Sequence, residues 1–337
     1  MPPLIIQITP NPVAFSIGPF PINWYGIAYV VALGVLILVT QREAARRGYD
    51  PANIGNAFLL VLPFAVIGGR LYHVIHEWEA IYRADPLRII LPPYAGLGLY
   101  GGVAGAALAI LIYVRWKQLP WRLALDVVIP GTLFAQGIAR WGNFFNQELY
   151  GPPTDLPWGI TIDCAHRLAQ YACDTFPAAT TGFHPLFFYE SALDIGGGLI
   201  ALYLSARFLH RLRPGDLAAF WGIWYGSVRA WLETFREGWN WQLGGLATAQ
   251  LIGIAIVIVG IAWIAWNHRP GSQPAPQLPP WQPPERPARI TDDDMKYQTV
   301  YDDDDEAEEA EAEDVDEADD EKPDADTSDR AITPAAG

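Results

Sequence analysis

Seven stretches of the chain are apolar for long enough, and charged seldom enough, to be read as membrane-crossing helices: about 20–41, 53–76, 97–116, 123–142, 185–207, 217–236 and 247–266. A helix rises 1.5 Å per residue, so roughly 20 apolar residues are needed to cross ~30 Å of hydrocarbon. Runs such as Ile27–Val39 and Leu251–Ile264 contain no charge at all. The expected fold class is therefore all-α, a polytopic membrane protein with about seven transmembrane helices. A soluble enzyme built on one core is excluded. No internal repeat of the kind found in many secondary transporters is visible.

The polar connections orient the spans. One set of loops carries Arg42, Arg46, Arg47, Arg115, Lys117, Arg122, Arg207, Arg211, Arg213 and Arg269; the alternate set carries only Arg83, Arg88, Arg167 and Arg236. The positive-inside bias puts the first set in the cytoplasm. The N-terminus is then outside, the C-terminus cytoplasmic, and the loops 77–96, 147–184 and 237–246 face outward. Met1–Pro21 lacks a basic n-region and is broken by six prolines, so no cleavable leader is expected there.

Composition divides the chain in two. Of 337 residues, 22 are Lys or Arg and 37 are Asp or Glu, a net charge of −15. Residues 1–269 are nearly neutral, at +2, whereas 270–337 carry −17. Positions 270–287 are proline-rich and read as an extended linker. Asp302–Glu321 is almost wholly Asp, Glu and Ala, which predicts disorder because such a segment buries too little apolar area to offset its ordering entropy. The expected organisation is a membrane domain, 1–269, and an acidic cytoplasmic tail, 270–337. Fourteen Trp and 15 Tyr suit two interfacial belts. The absence of a basic patch and the acidic tail exclude nucleic acid as a partner. The only cysteines, Cys164 and Cys173, share the long outer loop, where they form either a disulfide or two free thiols.

Three arginines fall inside spans: Arg70, Arg140 and Arg229. A charge at membrane depth costs ~2.5–3.5 kcal/mol even on a lenient scale, so each demands a partner or a polar cavity. All three lie in the outer part of their spans, which predicts convergence near the outer leaflet. Glu233 is one turn past Arg229, and Glu190 and Glu148 are further candidate partners. The plain alternative is snorkelling to headgroups or neutralisation of these glutamates, and it applies most strongly to Arg70. Arginine also grips phosphate through a planar fork of donors. An arginine pocket open sideways to the bilayer therefore points to membrane lipid as substrate.

The densest polar run at a membrane boundary is Arg140-Trp-Gly-Asn-Phe-Phe-Asn-Gln-Glu-Leu-Tyr-Gly151. Arg140 and Asn143 share a helix face, and Asn146 and Glu148 follow where the helix should end. Gly96–Gly102 places four glycines around Tyr100, for close approach of a helix or of a ligand. His184 at the entry to a span reads more readily as a hydrogen-bonded anchor than as a catalyst. His73 and His76 lack further metal ligands, so no metal and no diffusible cofactor is expected.

Arg140–Gly151 resembles the signature R-x-G-N-F-x-N-x-E-x-x-G of the prolipoprotein diacylglyceryl transferases. Trp24-Tyr25-Gly26, Gly68-Gly69-Arg70, Gly96–Gly102, His184-Pro185 with Tyr189-Glu190, and Tyr225-Gly226 with Arg229, Glu233 and Arg236 match in order and spacing, over about residues 13–266. The resemblance implies transfer of a diacylglyceryl group from phosphatidylglycerol to the lipobox cysteine of a prolipoprotein signal peptide, releasing glycerol phosphate. It also implies a bacterial inner-membrane location. Arg140 and Arg229 are implied to bind the phosphate, with Tyr25, Arg70, Asn143, Asn146, Glu148, Gly151, Glu190 and Glu233 completing the pocket. The chain departs from the family at Tyr100, where many members have His. A free phenol ionises near pH ~10 and is a poor base at neutral pH, so Tyr100 either acts otherwise or sits where no obligatory base is needed. The alternative from another class is a transporter or lipid-binding protein with an outer arginine pocket, but the polar residues cluster at one depth only.

Overall fold

The computed structural model describes residues 5–8, 10–89, 96–236, 242–271 and 278–283. The expectation of a disordered acidic segment falls outside these residues. Among the described residues eight α-helices follow one another: α1 Trp24–Arg46, α2 Ala52–His76, α3 Leu99–Trp116, α4 Trp121–Ala139, the short α5 Trp141–Phe145, α6 Leu186–Arg207, α7 Asp216–Leu232 and α8 Thr248–Asn267. Among the described residues five helical stretches are long and apolar enough to cross a membrane, namely α1, α2, Trp121–Phe145, α6 and α8. The lipid-like exterior is visible in the side chains. Leu59 is 74% exposed and Val30 72%, while α2 buries only Gly69 and Val74. A helix so apolar on its outer face is matched to hydrocarbon rather than water.

The expectation of an all-α chain needs one correction. Three short antiparallel ribbons accompany the helices: β1 Val13–Ile17 with β2 Phe20–Asn23, β3 Pro153–Thr154 with β4 Gly182–Phe183, and β5 Gln242–Leu243 with β6 Leu246–Ala247. The first ribbon takes residues 20–23 from the expected first span, whose helix starts at Trp24 and runs on to Arg46. Pro19 and Pro21 explain the shift, since neither suits a helix interior while both are tolerated in an edge ribbon.

Helix α1 packs on α4, α2 on α3, α4 on α6 and α7 on α8; α7 also touches α4 and α6. The α2–α3 seam is made of glycines. A Cβ at Gly68 would lie 3.1 Å from Gly105 Cα, and Gly98 N–H donates to Gly69 O at 2.8 Å. The glycines around Tyr100 thus serve helix packing.

At the end of the bundle away from Arg140, buried polar groups join five helices. Glu43 accepts from Ser205 Oγ and Arg46 Nη2, both at 2.6 Å. Asp126 of α4 accepts Gly215 N–H at 2.8 Å and Ala218 N–H at 3.0 Å, capping α7 from outside. Gly215 has φ +97°, a left-handed turn suited to glycine. Asp216 accepts from Arg213 N at 2.7 Å and Asn267 Nδ2 at 2.8 Å, and lies 2.8 Å from His268 Nε2. Leu278 lies against Gly48, and Trp281 N–H donates to Ala45 O at 2.8 Å, so part of the proline-rich stretch rests on the end of α1.

The loop between α5 and α6 packs Tyr150, Ile160, Ile162, Tyr171 and Phe183 into a core together with Phe187 of α6. Cys164 and Cys173 are disulfide-bonded within it, which settles the choice left open by the sequence.

Candidate active site

Helix α4 ends at Arg140, and the chain continues into α5 with Asn143 N–H donating to Arg140 O at 3.1 Å. Asn143 is buried, and its Nδ2 donates to Glu148 Oε1 at 2.8 Å. Asn146 Nδ2 reaches the same oxygen at 3.5 Å, and Glu148 N–H donates to Asn143 O at 3.0 Å. Glu148 is thereby tied across the end of α5. The reversal that follows puts Gln147 at φ +52° and Leu149 at φ +57°, left-handed values that cost side-chain-bearing residues about 1–3 kcal/mol each. Gln147 is anchored by its buried amide: Nε2 donates to Asp163 Oδ2 at 2.7 Å, and Oε1 accepts Asp163 N–H at 2.8 Å. Gly151 N–H donates to His184 O at 2.9 Å, where a Cβ on Gly151 would come within 2.9 Å of His184 Cβ. The two ends of the loop are thus joined beside the start of α6.

Two arginines stand on this platform, each backed by a buried glutamate. Arg140 Nη2 is 2.6 Å from Glu190 Oε1 of α6, and Arg229 Nη2 of α7 is 3.0 Å from Glu233 Oε2. Arg236 Nη1 lies 4.0 Å from the same Glu233 oxygen. The glutamate side chains are 7% and 1% exposed, whereas those of Arg140, Arg229 and Arg236 are 21–25% exposed. The carboxylates therefore lie behind, and the guanidinium groups are the more exposed side of each pair. Their pairing is what lets these charges persist at such depth.

Tyr25 of α1 closes one side. Its ring lies on Gly142, stacks with Tyr29 at 5.1 Å, and is near enough to feel the charges of Glu148 and Arg140. His184 Nδ1 is 3.1 Å from Tyr189 Oη, which also accepts from Trp158 Nε1 at 2.8 Å. Burial pushes the His184 imidazole down from the usual histidine range, favouring the neutral ring. This arrangement matches the anchoring role expected for it.

The matched sequence can now be set beside this geometry. The family model of prolipoprotein diacylglyceryl transferase matches residues 12–266. The chain belongs to that family. It is 39% identical to the phosphatidylglycerol–prolipoprotein diacylglyceryl transferase of Chloroflexus aggregans over 267 residues, 74% of this chain and 87% of the relative. With the enzyme of the same name from Synechococcus elongatus it shares 34% over 270 residues, 79% of this chain and 90% of the other. With that of Bifidobacterium adolescentis it shares 32% over 253 residues, 73% and 75%.

As a diacylglyceryl transferase family member, the chain places most of the expected site residues together: Tyr25, Arg140, Asn143, Asn146, Glu148, Gly151 and Glu190 are linked by the contacts above, and Arg229 and Glu233 stand on the adjoining helix. Arg70 bonds to backbone carbonyls of the segment between α2 and α3. Its guanidinium donates to Arg88 O at 2.9 Å, Gly96 O at 3.2 Å and Ile89 O at 3.4 Å, and lies 5.5 Å from the Tyr82 ring centroid. It thereby ties the segment between α2 and α3 back onto α2, while Arg140 and Arg229 both lie in electrostatic reach of Tyr225. Tyr100 is 74% exposed on α3 with its ring 5.9 Å from that of Tyr72. Asp194 was not singled out from sequence and Tyr225 was named only within the matched run, yet both lie in the charge field of Arg140 and Glu190. Asp194 is one turn beyond Glu190 in an apolar helix, and that spacing was the available signal.

Proposed function

We propose that this chain transfers the diacylglyceryl group of phosphatidylglycerol to the lipobox cysteine of prolipoprotein signal peptides, forming a thioether and releasing glycerol phosphate. The observation that carries this reading is the pair of glutamate-backed arginines, Arg140 and Arg229, at the end of a bundle with a lipid-like exterior. In the proposed topology seven helices, α1–α4 and α6–α8, cross the bacterial inner membrane, with the N-terminus outside and the segment after Arg269 in the cytoplasm. Residues 1–269 form the catalytic unit in this proposal, and 270–337 take no part in the chemistry.

The lipid enters sideways and its phosphodiester meets Arg140 and Arg229. Guanidinium donors bind it bidentately and take up the negative charge that grows on the leaving phosphate. Glu190 and Glu233 hold the two forks in place, so little reorganisation accompanies bond breaking. Asn143, Asn146 and Glu148 present amide and carboxylate groups to the glycerol hydroxyls, and Gly151 leaves room beside them. Tyr25 fixes the edge of the pocket. Arg70 contributes by holding the outer segment beside the lipid path, and Tyr100 donates a hydrogen bond at the rim. The thiol sulfur attacks the glycerol methylene carbon, the C–O bond to phosphate breaks, and the electron pair leaves with glycerol phosphate. Positive potential also raises the thiolate fraction of the incoming cysteine. The test is complementation of a bacterial strain conditionally lacking this transferase. Growth and restored lipoprotein modification are expected; membrane-inserted protein without either would overturn the proposal.

A further inference from the structure

Asp194 of α6 is fully buried, and neither carboxyl oxygen has a hydrogen-bond partner among the described residues. Leaving such a group buried and unpaired is unfavourable by several kcal/mol on general grounds. The other two buried aspartates are different: Asp126 and Asp216 each accept at least two hydrogen bonds. Their roles are structural. Asp194 holds nothing together.

Its surroundings are closed on both sides. A Cβ on Gly137 of α4 would lie 2.9 Å from Ser191 O, and Trp224 Nε1 of α7 donates to Leu193 O at 3.0 Å. The charged and titratable groups near Asp194 are Glu190 on its own helix, Arg140 from α4, and Tyr225 from α7, which also feels Arg229. Arg140 Nε is likewise buried without an acceptor. The cluster therefore holds two carboxyls one turn apart beside one directly paired guanidinium, that of Arg140, with Arg236 also in electrostatic reach of Glu190. Two carboxyls so close can share one proton, which makes the pair a candidate proton acceptor.

The reaction needs one. A free thiol is mostly protonated at neutral pH, with a pKa near ~8.5. Tyr100 is exposed on the α2–α3 pair, and His184 is bound to Tyr189. We propose that the Glu190–Asp194 carboxyl pair accepts the thiol proton, with Glu190 meeting the substrate and Asp194 sharing the proton behind it. The inference rests on the function proposed above. When a phosphodiester binds the free edge of the Arg140 fork, the positive charge of Arg140 is shared with the phosphate, and the two carboxyls share the incoming proton. The S–H bond breaks, sulfur bonds to the glycerol carbon, and the C–O electron pair leaves on phosphate. The departing phosphate monoester then carries the proton away, so atoms and charge balance.

The experiment measures thioether formation on a lipobox peptide by the purified full chain in phosphatidylglycerol vesicles, from pH 5 to pH 9. Asp194→Asn is expected to lower kcat by roughly 10²–10⁴-fold with lipid binding retained. Above the thiol's own pKa its rate should recover, because the peptide then arrives deprotonated. Asp194→Glu should restore part of the neutral-pH rate. Asp194→Leu, which suits the apolar surroundings and needs no donors, should fold at least as well as the parent yet stay slow at pH 7. An Asp194→Asn or folded Asp194→Leu enzyme with the parent's rate and pH profile overturns the inference. A parent chain that forms no thioether at any pH would instead sink the proposed function, and that result is read separately.

Discussion

The ring of Tyr25 lies so close to Gly142 that a methyl group added there would sit 2.6 Å from Tyr25 Cδ2. This contact joins α1 to the short helix that carries Asn143, and through it to Glu148. Trp24 stacked on Phe145 at 5.0 Å supports the same junction. Only glycine lets the tyrosine settle beside the arginine platform, so its place is set by a missing side chain.

Gly142→Ala should therefore damage the site more than the fold. Overpacking a tight contact costs about 1–3 kcal/mol, whereas a displacement near 1 Å in a catalytic constellation can lower the rate by roughly 10². The expected outcome is a protein of nearly normal membrane yield whose kcat/KM falls by about that factor. Unchanged kcat/KM would separate Tyr25 from the reaction.

Tyr100→Phe removes a hydroxyl from a largely exposed ring. A neutral hydrogen bond contributes ~0.5–1.5 kcal/mol, and one to a charged group up to ~3. A loss of roughly 3- to 150-fold is expected, toward the lower end because of the exposure, with Tyr100→His retaining a substantial fraction. No detectable turnover from an inserted, lipid-binding Phe variant would make the phenol a participant in proton transfer.

The disulfide closes a short loop, with Cys164 and Cys173 nine positions apart. By the loop-entropy relation a closure of this length contributes about 2–3 kcal/mol. The pairing is also next to Asp163, which anchors Gln147 and so the left-handed reversal before Gly151. Cys164→Ser is expected to raise amide exchange across 160–176 and lower the melting temperature, with a smaller effect on kcat. Unaltered exchange in that loop would contradict a stabilising role.

Truncation after Pro283 should leave activity and melting temperature unchanged. Truncation after Arg269 also removes Leu278 and Trp281 from the end of α1. It should keep most of the activity and lose stability equal to about one hydrogen bond and its apolar contact, ~1–2 kcal/mol. A large fall in kcat from either truncation, with normal insertion, would mean that the tail reaches the chemistry.

What could be read from the sequence was what is local or periodic. The helices followed from apolar runs, and the Arg229–Glu233 pair followed from a four-residue spacing. Glu190 could be named as a candidate partner of Arg140, but the pairing needed α4 and α6 to meet through Gly137. The partners of Arg70 could not be read, because they include backbone carbonyls 18–26 residues away, which have no sequence signature. The β1–β2 ribbon was hidden because its apolar residues merge with those of α1. Asp194 was missed because one acid in an apolar helix reads as noise until its lack of partners is seen.

The most direct measurement follows the lipobox peptide and the lipid together. Purified protein in phosphatidylglycerol vesicles is incubated with a lipobox peptide, and mass spectrometry records diacylglyceryl addition at the cysteine while glycerol phosphate is quantified. The expected result is one glycerol phosphate released per thioether formed, with Arg140→Ala slower by at least roughly 10²–10³-fold because the leaving phosphate loses its principal donor. Thioether formation by Arg140→Ala at the parent rate, or no thioether from the parent, would contradict the account.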